Sequence, residues 1–151
     1  MANYIKSDGR LGDLLHMPAG GSSLPASYLT VENRQHFVKM AGREVFKHAV
    51  RAMTDAAVHA LREGGLHSGK DLDLLISHQA NTRIIHAIAH RLHLPDEKVF
   101  MNIQEYGNTS AASIPLALNE ARKTNVLKDG MKCLLVAFGG GFTWGASLIQ
   151  F

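Results

Sequence analysis

The sequence predicts an α/β fold: a sheet with helical crossovers, closed by an antiparallel final strand. Three observations carry this. Short apolar runs, LDLLIS (72–77), VFMNI (99–103) and MKCLLVAF (131–138), alternate with longer stretches of helical period. GGG (139–141) separates the last run from FTWGASLIQF (142–151), a hairpin pattern. The chain is 46% hydrophobic yet holds no run near the roughly 20 apolar residues a bilayer demands, so the apolar content goes into a core.

Taken in order, residues 1–39 read as a loop-rich opening with short strands, and 40–151 as the α/β core. MANYIKSDGR is polar and lacks the apolar segment of a signal peptide. SDGRLG (7–12) and PAGGSSLPAS (18–27) are turn chemistry flanking a short strand around Leu14 to Met17. A helix runs from about Gly42 to Arg62. Phe46, Ala49, Val50, Met53, Ala57, Ala60 and Leu61 recur at three- and four-residue steps, and Gly64-Gly65 stops it. The Leu/Ile content of LDLLIS is too rich for an exposed edge strand. About a dozen helical residues follow from Asn81, ending before Pro95. Thr109 or Ser110 is placed to cap a third helix, which passes Leu118 and Ala121 and ends near Asn125.

Cys133 is the one cysteine, which excludes an internal disulfide and fits a reducing, cytoplasmic compartment. A net charge of +3 without a Lys/Arg block gives no reason to expect nucleic acid.

In such sheets reactive groups gather at the carboxyl ends of strands. Three handovers stand out: SHQAN, EYGNTSAAS and GGGFTWG. His86 and His90 stand four apart, a spacing that lets two imidazoles share a metal. Counting 100° per residue, however, places them with His93 and Arg83 on the polar side of their helix. A zinc site needs three or four ligands, so a histidine metal module fails on ligand count. His78 differs, because it sits where an apolar strand breaks into a polar turn. Asn108 occupies the matching turn thirty residues on. Two neutral donors at neighbouring strand ends can converge on one oxygen and hold developing negative charge.

SHQANTRII (77–85), YGNTSAAS (106–113) and AFGGGFTWGASLIQF (137–151) resemble the C-terminal half of β-ketoacyl-acyl carrier protein synthase III. MAGREVFKHAV (40–50) and SDGRLGDLLHMP (7–18) extend the resemblance over nearly the whole chain, in the family's order. It implies the C-terminal half of a thiolase-like fold, with a mixed five-stranded sheet, helical crossovers and an antiparallel final hairpin. It implies a Cys–His–Asn site for decarboxylative condensation of acyl-coenzyme A with malonyl-acyl carrier protein, without a cofactor. By that resemblance His78 and Asn108 hold the malonyl thioester oxygen as it becomes an enolate. By the same resemblance, the backbone N–H of Gly140 is expected to help form the acyl oxyanion hole. Gln79, Ala80, Asn81, Thr82, Arg83 and Lys47 match the family's carrier-protein docking positions, and Met40, Gly42, Phe46, Ala80 and Asn81 match positions that line its pantetheine tunnel.

The family's nucleophilic cysteine lies in an N-terminal half that has no counterpart here, and mid-strand Cys133 matches a structural position. The expectation is half an active site: inactive alone, completed by an N-terminal half, and self-associating through the apolar layer that would otherwise be covered. The competing reading is a non-catalytic subunit that binds carrier protein or complements a separate cysteine-bearing chain.

Overall fold

A computed structural model describes residues 1–67 and 69–151. In chain order its elements are strands β1 (Ala2–Ser7) and β2 (Leu15–His16), helix α1 (Tyr28–Glu32), strand β3 (Lys39–Met40), helix α2 (Gly42–Glu63), strand β4 (Leu74–Ser77), helix α3 (Thr82–Arg91), strand β5 (Val99–Phe100), helices α4 (Ile103–Tyr106) and α5 (Ser113–Lys123), and strands β6 (Lys132–Gly139) and β7 (Thr143–Gln150). The mixed five-stranded sheet has the order β1-β7-β6-β4-β5. β4 runs parallel to β5 and β6, and β7 runs antiparallel to β6 and β1.

All four residues of β4 are buried because both faces of the strand are covered. Strand alternation sends Leu75 into one core, with Ile85 and Ile88 of α3 and Met53 and Ala57 of α2. Leu74 and Ile76 point the other way, against Ala117 and Ala121 of α5. Each such Leu or Ile contributes about 1.5–3 kcal/mol by leaving water. The helix after β4 thus covers one face of the sheet, and the helix after β5 covers the opposite face. The loops leaving these two neighbouring strands must diverge, which opens a crevice at their carboxyl ends.

α2 buries Val45, Ala49, Val50, Met53, Ala56, Ala57, Ala60 and Leu61, the stripe its periodicity predicts. It ends as its glycines require. Gly65 adopts φ +78°, and the Leu66 N–H reaches back to the Leu61 carbonyl at 2.8 Å. α3 ends the same way with His93 at φ 56° and Leu94 N–H bonded to Ala89. His93 is therefore a left-handed cap beyond the helix and not part of its polar face.

The structure departs from the sequence expectation elsewhere too. The opening residues form an edge strand, β1, in register with β7 from Ala2↔Leu148 to Ser7↔Thr143. Inside it offers only Ala2 and a half-buried Tyr4 stacked on His59 at 4.4 Å, too little apolar content to stand out. The short strand expected near Leu14 pairs instead with β3 in a separate ribbon. The strand expected over 99–103 closes at Phe100, and Ile103 opens α4. Neither Thr109 nor Ser110 caps a helix through its side chain. A 3-10 turn over Ser110–Ala112 leads into α5.

Candidate active site

The crevice is a cavity of about 1100 Å³, lined by loops after β4 and β5, the start of α2, and both strands of the final hairpin. His78 and Asn108 both line it, as do Met40, Gly42, Phe46, Ala80, Asn81 and Arg83.

β4 positions His78 directly, since its backbone N–H continues the ladder to the Val136 carbonyl at 2.7 Å. Its ring Nδ1 lies 2.6 Å from Ser113 Oγ. Burial lowers the ring's pKa below the ordinary histidine value, which favours the neutral imidazole. Asn108 is held differently. Its Oδ1 accepts the Ser110 N–H at 3.0 Å, which commits the amide oxygen and leaves the NH₂ for the cavity. A neutral imidazole and a neutral amide can both donate to an oxygen that gains charge, and neither stabilises an anion before one forms.

The residues expected from the sequence to meet a carrier protein divide. Gln79 is only 1% exposed, and its side chain is committed inside. Nε2 donates to the Ser77 carbonyl at 2.8 Å, and Oε1 accepts the Asn102 N–H at 3.1 Å. It braces the site and offers a partner nothing. Asn81 caps α3 by accepting the Arg83 N–H at 2.9 Å. The Arg83 guanidinium stands 5.7 Å from the centre of the Phe46 ring, a cation–π arrangement at the cavity rim. Lys47 and Thr82 are exposed and outside the cavity, and Lys47 makes a surface ion pair with Glu44 at 3.5 Å. Gly140 lies in the turn between β6 and β7. Gly139 lines the cavity and Gly140 does not, although a Cβ there would come 3.2 Å from the Leu15 carbonyl oxygen.

Cys133, on β6 beside Leu74 of β4, is fully buried on the face that α5 covers, and burial pushes its thiol up to about 12. Such a shift keeps the thiol protonated at neutral pH, which disfavours a role as nucleophile. His86, His90 and His93 are exposed, and among the described residues no group of three potential ligands gathers around a metal-sized space. Sequence reasoning missed Ser113, buried against His78, and Asn102, buried against Gln79. Ser113 stood inside the GNTSAAS motif, but nothing local marks a serine whose partner is 35 residues away.

Residues 61–151 match the family model described as 3-oxoacyl-(acyl-carrier-protein) synthase III, C-terminal. The β-ketoacyl-(acyl-carrier-protein) synthase III of Chlamydia trachomatis is 53% identical over 146 residues, which is 97% of this chain and 44% of that protein. That of Oleidesulfovibrio alaskensis is 51% identical over 148 residues, 98% of this chain and 44% of that protein. Among solved structures, the synthase III of Aquifex aeolicus superposes with TM-score 0.85 at 44% identity, covering 99% of this chain and 44% of that one. The Pseudomonas aeruginosa enzyme gives 0.87 at 41%, covering 99% and 43%. The chain thus spans a little under half the length of the relatives it matches, and its fold is the corresponding part of theirs.

Proposed function

The chain belongs to the 3-oxoacyl-(acyl-carrier-protein) synthase III family, and on that premise we propose that it is the C-terminal catalytic half of a condensing enzyme. The reaction is the decarboxylative condensation of acyl-coenzyme A with malonyl-acyl carrier protein to a 3-oxoacyl-acyl carrier protein. The acyl group first moves from coenzyme A, which leaves as its free thiol, to a cysteine carried by the N-terminal half of the synthase. The malonyl carboxylate then leaves as carbon dioxide, and its bonding pair flows to the thioester oxygen. The His78 imidazole and the Asn108 amide donate to that oxygen. The enolate carbon attacks the acyl-cysteine and releases the thiolate. No cofactor takes part.

The observation that carries this reading is that His78 and Asn108, from loops after two neighbouring strands, line one cavity with their partners already set. The apolar wall near Met40, Gly42 and Phe46 suits the pantetheine arm, with Ala80 and Asn81 at its side. Arg83 at the cavity rim, and Lys47 and Thr82, which are exposed outside it, suit the acidic carrier protein. Gly140 completes the acyl oxyanion hole only with the nucleophile's own N–H, so it acts in the assembled enzyme.

Tyr28 is 98% exposed, and Leu29, Val31, Phe37, Val38 and Met40 are also open. An apolar surface of this kind suits burial against the N-terminal half, or self-association without it. The single buried cysteine fits a cytoplasmic setting.

The test is to mix this chain with a cysteine-bearing N-terminal half of a synthase III and assay condensation. Activity absent from either part, restored on mixing, and lowered about 10²- to 10³-fold by His78→Ala or Asn108→Ala supports the proposal. Restored activity indifferent to both substitutions overturns it in favour of a non-catalytic partner subunit.

A further inference from the structure

Ser113, the first residue of α5, is buried behind the site. Its Oγ sits between two nitrogens of the loop after β4: Nδ1 of His78 at 2.6 Å and the backbone N of Gln79 at 3.3 Å. The Gln79 amide can only donate, so Oγ accepts there. The hydroxyl still has one hydrogen to place. Among the described residues, the other partner of that oxygen is Nδ1 of His78. If Nδ1 carried a hydrogen, Oγ would accept twice and its own hydrogen would be buried without an acceptor, which structures avoid. The arrangement that satisfies every atom runs from the Gln79 N–H to Oγ, and from Oγ–H to Nδ1. A neutral imidazole whose Nδ1 accepts must hold its hydrogen on Nε2.

We propose that Ser113 is a positioning residue that fixes His78 in the Nε2–H tautomer, so that the ring offers the cavity a donor. The framework makes this placement firm. Ala117 and Ala121 let α5 pack closely on β4 through Leu74 and Ile76, which carries the serine to the imidazole. The catalytic value of the donor rests on the enolate reading above. The tautomer itself does not, and it can be measured without turnover.

The test is a long-range ¹H–¹⁵N correlation spectrum of the histidine-labelled chain above pH 7, with the His78 signals assigned through His78→Gln. The expected result is a protonated Nε2 and an unprotonated, hydrogen-bonded Nδ1. In Ser113→Ala the two nitrogen signals should move towards each other as the Nδ1–H form gains population. Ser113→Thr, which keeps the hydroxyl, should return them. A wild-type His78 protonated at Nδ1 would overturn the proposal, as would signals that Ser113→Ala leaves in place. The wild-type spectrum decides the tautomer even where the alanine variant does not fold. A failure of His78→Ala to reduce condensation would count against the enolate reading alone.

Discussion

The side-chain oxygen of Gln79 accepts the backbone N–H of Asn102 at 3.1 Å, and this contact ties the loop after β4 to the loop after β5. Asn102 in turn gives its Nδ2–H to Glu120 of α5 at 2.8 Å. His78 and Asn108 are thus set by a buried polar brace as well as by the strands. Gln79→Ala leaves the Asn102 N–H and the Ser77 carbonyl buried without these partners and should destabilise the chain by about 1–3 kcal/mol. Gln79→Glu keeps an acceptor but loses the amide donors to Ser77 and Phe100, and should do no better than alanine. Urea unfolding followed by circular dichroism measures both.

The neutral state of His78 has a signature in pH. Burial lowers its pKa in the folded chain, whereas the unfolded chain keeps the ordinary histidine value near 6.5. Below that value the unfolded state binds more protons. The stabilising contribution is therefore complete above the ordinary histidine range and lost as pH falls through the lowered pKa. Wild type should lose stability more steeply than His78→Gln as pH drops from 7 towards 5. Parallel unfolding curves for the two proteins across that range would contradict this.

Cys133 should behave as a core atom and not as a reagent. With its thiol pushed up to about 12 and no solvent exposure, it should resist iodoacetamide at pH 7.5 in the folded chain and react after addition of guanidinium. Mass spectrometry before and after unfolding reads the difference. Cys133→Ser should leave reconstituted condensation in place, apart from the cost of a buried hydroxyl.

The basic rim should act through charge. Arg83→Glu removes a cation exposed at the cavity mouth and its contact with Phe46. Lys47→Glu reverses a charge farther out, beside Glu44. Each should weaken binding of acyl carrier protein roughly fivefold at low salt, about 1 kcal/mol, with the loss shrinking as salt rises. Titration calorimetry at two ionic strengths checks the size and the salt dependence.

Much of the core was legible because its signals are local. The stripe from Ala49 to Leu61 and the apolar run Leu74–Ser77 each bury enough surface to impose their period on the sequence. β1 escaped because an edge strand with one paired side needs little apolar content. α1 escaped because its five residues lie among turn-forming ones. Its Ser27–Thr30 capping box, in which Thr30 also bonds His36 at 2.9 Å, was the available cue. At the site, His78 and Asn108 could be singled out as polar residues where strands end. The roles of Gln79 and Ser113 depend on partners 23 and 35 residues away, which no local pattern encodes. The place of Gly140 beside the cavity, and not in its lining, follows from the path of the hairpin turn.

The most direct measurement is a crystal structure of this chain joined to a cysteine-bearing half, with a malonyl-pantetheine analogue that cannot lose its carboxylate. The thioester oxygen should lie within about 3.2 Å of both the His78 Nε2 and the Asn108 amide nitrogen. An analogue bound in the cavity with that oxygen turned away from either group would contradict the account.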